Sequence, residues 1–406
     1  MKEPSPSSKS SALLHPDQGP IVVDVLVVGA GPSGLAVASE LKRLGVGALL
    51  VDSAPESHSS WRNHYRRLHL HTDGRLSTLP GLAAPESWPT YPSRAAVVAY
   101  LDQYVARSSL KPRLNTRVLA VEPLAEAAPK GPRVLARIDG GLAIAAREVV
   151  IATGYNHEPV IPTWPGSDSF PGRVVHSSAY VDGSSFASQS ILVVGAGNSA
   201  AEIAVDLWEH GATVGMSIRG PIHIVSRDVF GRSTQRMAIV MARLPARLAD
   251  KLAAPLRRAL VGDLRPWGIT TPTVGPLERL ETEGKVPLID AGIVKLITQE
   301  SVPVFPEISR VDGSDIWFVD GRRERFDAIV LGTGYRSGLS KIVGSWAGLL
   351  DGRGLPTIHG AEAAPGLWFC GFRNPSSGAL RESGIEATRI AAGIAKKRAK
   401  RGQSVG

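Results

Sequence analysis

Two glycine-rich segments of this chain have the spacing that binds the pyrophosphate of a dinucleotide. In the first, the apolar run 25–28 leads into Gly29-x-Gly31-x-x-Gly34, and a helical pattern follows at once. The first glycine permits a tight turn, the second lets a pyrophosphate approach the backbone, and the third allows close packing of helix on strand. Asp52 ends the next apolar run, about twenty residues further on, where an acid binds ribose hydroxyls. This segment suits the adenosine half of FAD.

The second segment repeats the pattern with a different final residue. The apolar run 191–194 leads into Gly195-x-Gly197-x-x-Ala200, in which alanine fills the packing position. The strand that follows ends in Arg219 instead of an acid. An arginine at this place suits the 2′-phosphate of NADPH, although an ordinary surface arginine is the alternative interpretation. The chain therefore carries two dinucleotide sites of different chemistry.

A third cluster of reactive side chains follows the second apolar run, shortly after Asp52. Trp61, Arg62, His69 and His71 crowd the segment 59–72. No carboxylate or cysteine completes a familiar metal-ligand spacing there, so we predict a wall of the flavin site and no metal.

The composition excludes several classes of protein. The 406 residues suffice for two or three domains, and the net charge of +9 suits a protein that holds two anionic dinucleotides. A single cysteine, Cys370, excludes the redox pair of a disulfide reductase and favours a reducing, cytoplasmic setting. No nucleic-acid module and no apolar run of membrane-spanning length is present. We expect residues 1–20 and the basic run 396–401 to be solvated tails.

These motifs must be positioned by an α/β fold with two nested dinucleotide-binding, Rossmann-like domains. The strand that ends in Ala152-Thr153-Gly154 is echoed by one that ends in Gly332-Thr333-Gly334. We predict an FAD domain from residues 21–160 and 325–400, with an NADPH domain of residues 161–324 inserted between them. A hairpin is expected over 316–331, with its turn at residues 320–321.

The basic segment 237–262 is expected to form a helical insertion broken at Pro245 and Pro255. Its apolar residues alternate with arginines and a lysine. A lid over the site, a plain helical hairpin and a peripheral membrane contact are three interpretations that the sequence leaves open.

Residues 170–180 fit the pattern Phe-x-Gly-x-x-x-His-x-x-x-Tyr, with His176 and Tyr180 at its last two fixed positions. This resembles the identifying motif of class B flavin-dependent monooxygenases. The similarity is closest to the plant YUCCA group of indole-3-pyruvate monooxygenases, and it covers residues 24–394. Among the similar stretches are 67–71, 89–92, 195–199, 275–278, 287–290, 319–322 and 326–335. The chain has Asp73-Gly74 where YUCCA sequences have Pro-Lys.

The resemblance implies that NADPH reduces FAD and that dioxygen then forms a flavin C4a-(hydro)peroxide, which transfers one oxygen atom to a small substrate. For a YUCCA-like enzyme this is oxidative decarboxylation of an α-keto acid such as indole-3-pyruvate to indole-3-acetate. Oxygenation of an amine or sulfide, an FAD-dependent electron-transfer reductase and an NADPH-binding module are the alternatives. A monomer or a homodimer is expected.

The resemblance and the two fingerprints together assign roles to residues. His71, His176 and Tyr180 are the expected catalytic residues. The FAD-binding set is Gly29, Gly31, Pro32, Ser33, Gly34, Asp52, Ser53, Trp61, Arg62, His69, Val118, Ala152, Thr153, Gly154 and Gly371. Gly195, Gly197, Asn198, Ser199 and Arg219 are expected to bind NADPH, and Gly332, Thr333 and Gly334 are further expected cofactor-binding residues.

Overall fold

The computed structural model describes residues 19–125 and 131–403. The expected tail at residues 1–20 lies almost entirely outside this part of the chain. The strands are β1 Ile21–Val28, β2 Ala48–Val51, β3 Val118–Pro123, β4 Val134–Ile138, β5 Ala143–Ile151, β6 Glu158–Pro159, β7 Arg173–His176, β8 Ser190–Val194, β9 Thr213–Ser217, β10 Ile224–Ser226, β11 Asp228–Val229, β12 Arg232–Ser233, β13 Leu288–Asp290, β14 Val304–Phe305, β15 Ile308–Asp312, β16 Asp315–Phe318, β17 Arg323–Arg325, β18 Ala328–Leu331, β19 Tyr335–Arg336, β20 Glu362–Ala364 and β21 Leu367–Phe369. The α-helices are α1 Pro32–Arg43, α2 Ser59–Arg62, α3 Arg94–Arg107, α4 Asn198–Glu209, α5 Thr234–Met241, α6 Ala246–Val261, α7 Pro276–Glu283, α8 Ile293–Thr298, α9 Leu339–Ile342 and α10 Ala379–Gln403.

The first sheet has β1 between β2 and β5, and β21 continues the parallel arrangement beyond β5. β20 pairs antiparallel with β21, while β3 and β4 form an antiparallel extension on β5. Helices α1 and α10 pack against each other on one face, where Leu35, Leu41, Ile390 and Trp368 belong to one apolar cluster. A parallel strand buried on both faces needs a continuous apolar sequence, and β1 has one in residues 25–28.

The second sheet is wholly parallel, in the order β14-β9-β8-β18-β7. Helix α4 connects β8 to β9. Because these neighbouring strands are parallel, they need a crossover connection of this kind. The two sheets repeat the same unit of strand, glycine turn and helix, so the predicted pair of Rossmann-like domains is confirmed.

The sheet pairing differs from the sequence prediction at one junction. The predicted hairpin partner of residues 316–319 was 326–331, but β16 pairs with the short strand β17 after the turn. Residues Ala328–Leu331 instead join β8 and β7 in the second sheet. The chain therefore leaves the second sheet after Leu331, later than the expected boundary at 325. A fully apolar strand is better buried between two parallel neighbours than at the edge of a hairpin.

Two further expectations are corrected at the helices. Pro245 does separate α5 from α6, but Pro255 lies inside α6 without ending it, on an exposed face of the helix. The basic run 396–401 is part of α10 instead of a solvated tail: Lys397 and Arg401 both donate to the buried carboxylate of Glu148. Across residues 19–125 and 131–403, no helix combines the length and the apolar character needed to span a bilayer.

Candidate active site

In both glycine turns the helix packs closely on the end of a neighbouring strand, with glycine and alanine at exchanged positions. A methyl group on Gly34 would lie 1.8 Å from the carbonyl oxygen of Gly29 and 3.5 Å from the Cβ of Ala152. In the second turn the helix carries Ala200, and the facing strand end carries Gly332, where an added Cβ would lie 2.5 Å from that of Ala200. Each helix meets its strand through one glycine and one alanine. This exchange explains why alanine is tolerated in the second fingerprint.

The middle glycine of each turn faces open space. An added Cβ on Gly31 or Gly197 would contact no atom within 4 Å. Each of these glycines is also the residue that caps the following helix, α1 or α4, and neither cap is closed by a side-chain hydrogen bond. The free N–H groups and the positive end of the helix dipole therefore point into that space, as a pyrophosphate requires. The residues fit a dinucleotide in both turns.

The first turn is completed by the last helix of the chain. The Ser33 hydroxyl donates to Ser383 Oγ of α10 at 2.9 Å, and the backbone N–H of Gly371 donates to Glu386 of the same helix at 2.9 Å. Nearby, the buried hydroxyl of Thr153 has no hydrogen-bond partner within the protein. An unsatisfied buried hydroxyl beside a phosphate-binding turn is expected where a bound group supplies the missing contact.

Other residues predicted for the FAD site surround this turn at different depths. Asp52 accepts from the backbone N–H groups of Ala30 (2.6 Å) and Ala54 (2.8 Å), which holds its carboxylate beside the turn. Pro32 and Gly154 flank the glycine turn and the end of β5, while Ser53 is exposed next to Asp52.

Four of the predicted residues make protein contacts of their own. Arg62 on α2 donates to Asp102, and Trp61 packs against the apolar cluster beneath α1. The Nδ1 of His69 contacts the Arg67 carbonyl at 2.6 Å, and Val118 is buried at the start of β3. Their roles toward FAD stay predictions.

In the second turn, Asn198 and Thr333 tie the glycines to neighbouring elements. Asn198 Oδ1 accepts from the backbone N–H of Ile289 in β13 at 2.7 Å, and the Thr333 hydroxyl donates to the Val160 carbonyl at 2.5 Å. Arg219 is exposed just beyond β9, and its side chain has no protein partner within the described residues. It is therefore available to an anionic ligand.

Helix α4 bears two buried carboxylates, one turn apart, and each accepts a hydrogen bond from a tyrosine. Tyr65 donates to Glu202 and Tyr180 donates to Asp206, both at 2.6 Å. The two tyrosine rings meet edge to face at 6.3 Å between centroids. Because Tyr65 belongs to the first domain and α4 to the second, its hydrogen bond to Glu202 fixes helix α4 against the first domain, and Tyr180 supports it from within the second domain.

The Glu202 carboxyl also lies near His71, with 3.8 Å between its Oε1 and the Nε2 of the imidazole. Burial raises the pKa of Glu202 to about 7, although Tyr65 and Arg67 oppose the shift. Burial, aided by Arg227 and His69, lowers the pKa of His71 to about 4. Between about pH 4 and pH 7 both members of the buried pair are therefore mostly uncharged, and both imidazole nitrogens lack a hydrogen-bond partner in the protein.

The raised pKa of Glu202 makes the stability of the protein depend on pH. Between about pH 4.5 and 7 the folded protein holds a proton on Glu202 that the unfolded chain releases. The free energy of unfolding of the protein therefore falls as the pH rises through this range. A Glu202→Gln variant keeps an oxygen for Tyr65 and removes the titration. We expect it to be more stable than the wild type at pH 8, by on the order of 2–3 kcal/mol, and to match it near pH 5. Denaturant unfolding at the two pH values measures this.

Glu209→Gln is the matched control, because Glu209 lies on the same helix with its side chain 44% exposed and paired with Arg67. Its effect is expected to be small and equal at both pH values. A loss of stability in Glu202→Gln at pH 8 would show that the arginines keep Glu202 ionised, contrary to this prediction.

His176 is the last residue of β7 and lies next to the segment that contains Gly334. Its Nε2 contacts the Gly334 carbonyl at 3.1 Å, its Nδ1 contacts Ser178, and its ring meets that of Tyr335 edge to face. Burial lowers the pKa of His176, which keeps the imidazole neutral. His71, His176 and Tyr180 thus contact residues around the second turn, where they can position it, and their catalytic roles stay predictions.

A cavity of about 1010 Å³ opens beside the second glycine turn. Gly197 and Ser199 contribute one wall, α5 and α7 contribute a second, and the segment 372–377 of the first domain contributes a third. The charged residues that line it are Arg243, Arg353, Arg373, Arg381, Glu281 and Glu382. Arg353 pairs with Asp351 and Arg381 with Glu382, whereas Arg243 and Arg373 have no carboxylate partner within the described residues and favour an anionic ligand.

Several residues that shape this region were not found from the sequence. Gln235 of α5 accepts from the Asp73 N–H at 2.7 Å and donates to the Ser377 carbonyl at 2.5 Å. Asn374 donates to the Tyr155 hydroxyl at 2.7 Å across the cavity wall. For the contacts of Glu202 and Asp206, the sequence signal is the spacing of these two acids by four residues within the apolar stretch 200–207. Within the described residues, no group of histidines, cysteines and carboxylates could hold a metal ion.

Comparison with known proteins places this geometry in a family. Residues 26–242 match the family described as pyridine nucleotide-disulphide oxidoreductase. That description covers enzymes with two dinucleotide sites, but the redox cysteine pair of a disulfide reductase is excluded here because the single cysteine, Cys370, is buried. The chain is 38% identical over 362 residues to the indole-3-pyruvate monooxygenase YUCCA1 of Oryza sativa, covering 86% of this chain and 87% of that protein.

Two solved structures show the same fold at lower identity. The flavin-containing monooxygenase from Stenotrophomonas maltophilia has a TM-score of 0.70 at 24% identity, covering 93% of this chain and 99% of that one. The OTEMO complex with FAD and NADP has a TM-score of 0.70 at 16% identity, covering 94% and 87%. The shared fold and the two open glycine turns agree with the similarity to YUCCA1. That similarity shows that the chain belongs to the flavin-dependent monooxygenases, close to the plant YUCCA enzymes.

Proposed function

We propose that this protein is an FAD- and NADPH-dependent monooxygenase that decarboxylates an α-keto acid of the indole-3-pyruvate type oxidatively. The arginine-rich cavity beside the second turn carries this proposal, because a carboxylate substrate needs a cationic site. The similarity to the rice indole-3-pyruvate monooxygenase supports the same substrate class. Overall, the keto acid, dioxygen, NADPH and one proton become the shortened acid, carbon dioxide, water and NADP⁺.

The residues of the chain divide the work between two domains. The first turn with Thr153, Gly371 and the C-terminal helix would hold FAD, whose bound form supplies the oxygen-activating chemistry. The second turn with Asn198 and Arg219 would hold NADPH. The contacts of Tyr65 and Tyr180 with α4 keep the two nucleotide sites in register, and the cavity walls exclude water from the reacting centre.

The test is to supply the FAD-loaded protein with NADPH, indole-3-pyruvate and ¹⁸O₂, and to analyse the product by mass spectrometry. We expect indole-3-acetate with one heavy oxygen atom in its carboxylate. A tertiary amine and a thioether serve as competing substrates. Faster oxygenation of either one than of the keto acid would reassign the substrate class, and NADPH oxidation without a labelled product would indicate an electron-transfer reductase.

Arg219 provides a prediction about nucleotide choice. Because its exposed guanidinium has no protein partner within the described residues, Arg219→Ala should leave the fold intact and remove a contact with the 2′-phosphate. A charge-assisted bidentate contact is worth about 1.5–3 kcal/mol, so KM for NADPH should rise roughly 10- to 100-fold. KM for NADH, which lacks that phosphate, should stay unchanged.

Arg107→Ala is the control, because Arg107 is equally exposed but lies at the end of α3 in the first domain. It removes the same charge and should change neither constant. Equal rises in KM for NADPH and NADH in Arg219→Ala would mean that the arginine serves the fold of the second domain and not the 2′-phosphate.

A further inference from the structure

Helix α6 exposes three of its leucines, Leu248, Leu252 and Leu260, while its buried residues are Ala249 and Asp250. Leu244, which precedes the helix, and Leu248 and Leu252 on it follow one another at intervals of four residues and are 38%, 46% and 60% exposed. Residues spaced by four lie above one another on a helix, so Leu248 and Leu252 form one apolar strip, and with the exposed Leu244 just before the helix they are here called the leucine ridge. An amphipathic helix of a globular protein normally has the opposite orientation.

The orientation of α6 is fixed by a buried carboxylate on its other face. Asp250 is 6% exposed, and it accepts hydrogen bonds from the backbone N–H groups of Leu277 and Glu278 at the start of α7. A rotation that buried the ridge would bring Asp250 into solvent and leave these N–H groups without a partner. The contacts of Asp250 therefore keep the leucine ridge on the surface of the protein.

The charges around the ridge indicate what it meets. Residues 240–262 contain five basic side chains and one acid, Asp250, which is buried. Arg247 and Lys251 lie on α6 next to the leucines and are exposed, and Arg247 also pairs with Glu278 of α7 at 2.6 Å. Two copies of this surface would repel each other, whereas a surface of anionic headgroups over an apolar layer would match both the cations and the leucines.

We propose that the leucine ridge and its flanking cations dock this protein peripherally on an anionic lipid bilayer. The leucines enter the boundary between headgroups and acyl chains, and the cations contact the headgroup phosphates. Since Leu244 also lines the large cavity, the docked protein holds the mouth of that cavity close to the lipid.

Flotation of the intact, FAD-loaded protein with vesicles tests this proposal. One set of vesicles is phosphatidylcholine alone, and the other contains roughly a third phosphatidylserine. We expect binding to the anionic vesicles only. The double variant Leu248→Ser/Leu252→Ser should reduce the bound fraction by about 10-fold or more, as should Arg247→Glu/Lys251→Glu, with NADPH oxidation in solution unchanged.

Val319→Ser is the matched control, because Val319 is also 60% exposed but lies far along the chain, outside the ridge. It should bind vesicles as the wild type does. Absence of binding to either vesicle by the wild type overturns the proposal. So does full binding by the leucine variant, which would reduce the contact to general electrostatics, and so does a wild-type dimer that this variant converts to a monomer, which would assign the ridge to a second copy.

Discussion

A Gly31→Val variant is expected to fold and to purify with little or no FAD. The backbone of Gly31 is extended, with φ of −75°, and an added Cβ meets nothing within 4 Å. The fold should therefore lose no more than about 1 kcal/mol, the usual range for a change at a helix cap. The valine methyl groups would occupy the space that the pyrophosphate needs, so the dissociation constant for FAD should rise at least about 100-fold. Flavin absorbance per protein measures the loss.

Gly34→Ala separates loss of the cofactor from loss of the fold. An added Cβ there lies 1.8 Å from a backbone carbonyl, so this smaller substitution should lower the unfolding temperature markedly, whereas Gly31→Val should not. A Gly31→Val protein that keeps its yellow colour would show that the first turn does not hold the pyrophosphate.

The corresponding change in the second turn, Gly197→Val, is expected to give a yellow protein that NADPH reduces poorly. Gly197 has an extended backbone, with φ of −87°, and the same open space in front of it. FAD binding should be normal, because the first turn is untouched. The NADPH concentration needed for half-maximal flavin reduction should rise at least about 100-fold. Anaerobic bleaching of the flavin band measures it.

The two valine variants control for each other. Gly31→Val should still bind NADP⁺ in a calorimetric titration, and Gly197→Val should still contain FAD. If both variants lost the flavin, the two turns would be parts of one cooperative site and the assignment of one cofactor to each turn would be wrong.

The nucleotide turns could be predicted because their requirements are local. Gly29 and Gly195 adopt φ of +105° and +130°, which only glycine takes without strain, and both stand directly after an apolar strand. Spacing within a few residues therefore determines turn, helix and strand. The prediction of two Rossmann-like domains rested on these short segments and was confirmed by the sheet order.

The pairing of β18 could not be predicted in the same way. The sequence shows that residues 328–331 are apolar and close to a turn, and a hairpin is the nearest local solution. The strand instead pairs with residues 173–176 and 191–194, more than a hundred residues away. Choosing between these partners depends on the burial of both faces, which is a property of the whole sheet.

The contacts of Glu202 were hidden for a related reason. An acid within an apolar helix signals a buried partner, but its partner, Tyr65, is 137 residues distant and in the other domain. Gln235 likewise joins Asp73 and Ser377, which are far apart in sequence. The sequence therefore predicted the two glycine turns and their strands and helices, and not which side chains hold those segments against one another.

The hydrogen bond from Ser33 to Ser383 joins the first helix of the fold to α10, and the bond from Gly371 to Glu386 joins the segment after β21 to the same helix. A ribosome makes β1 and the first turn before the inserted domain, and it makes β21 and α10 after that domain. The second sheet, by contrast, has all five strands once residue 331 has been made. Because domains fold as units, the nascent chain completes the inserted domain first. If the first turn holds FAD as proposed, its site is complete only after the whole inserted domain has been synthesised.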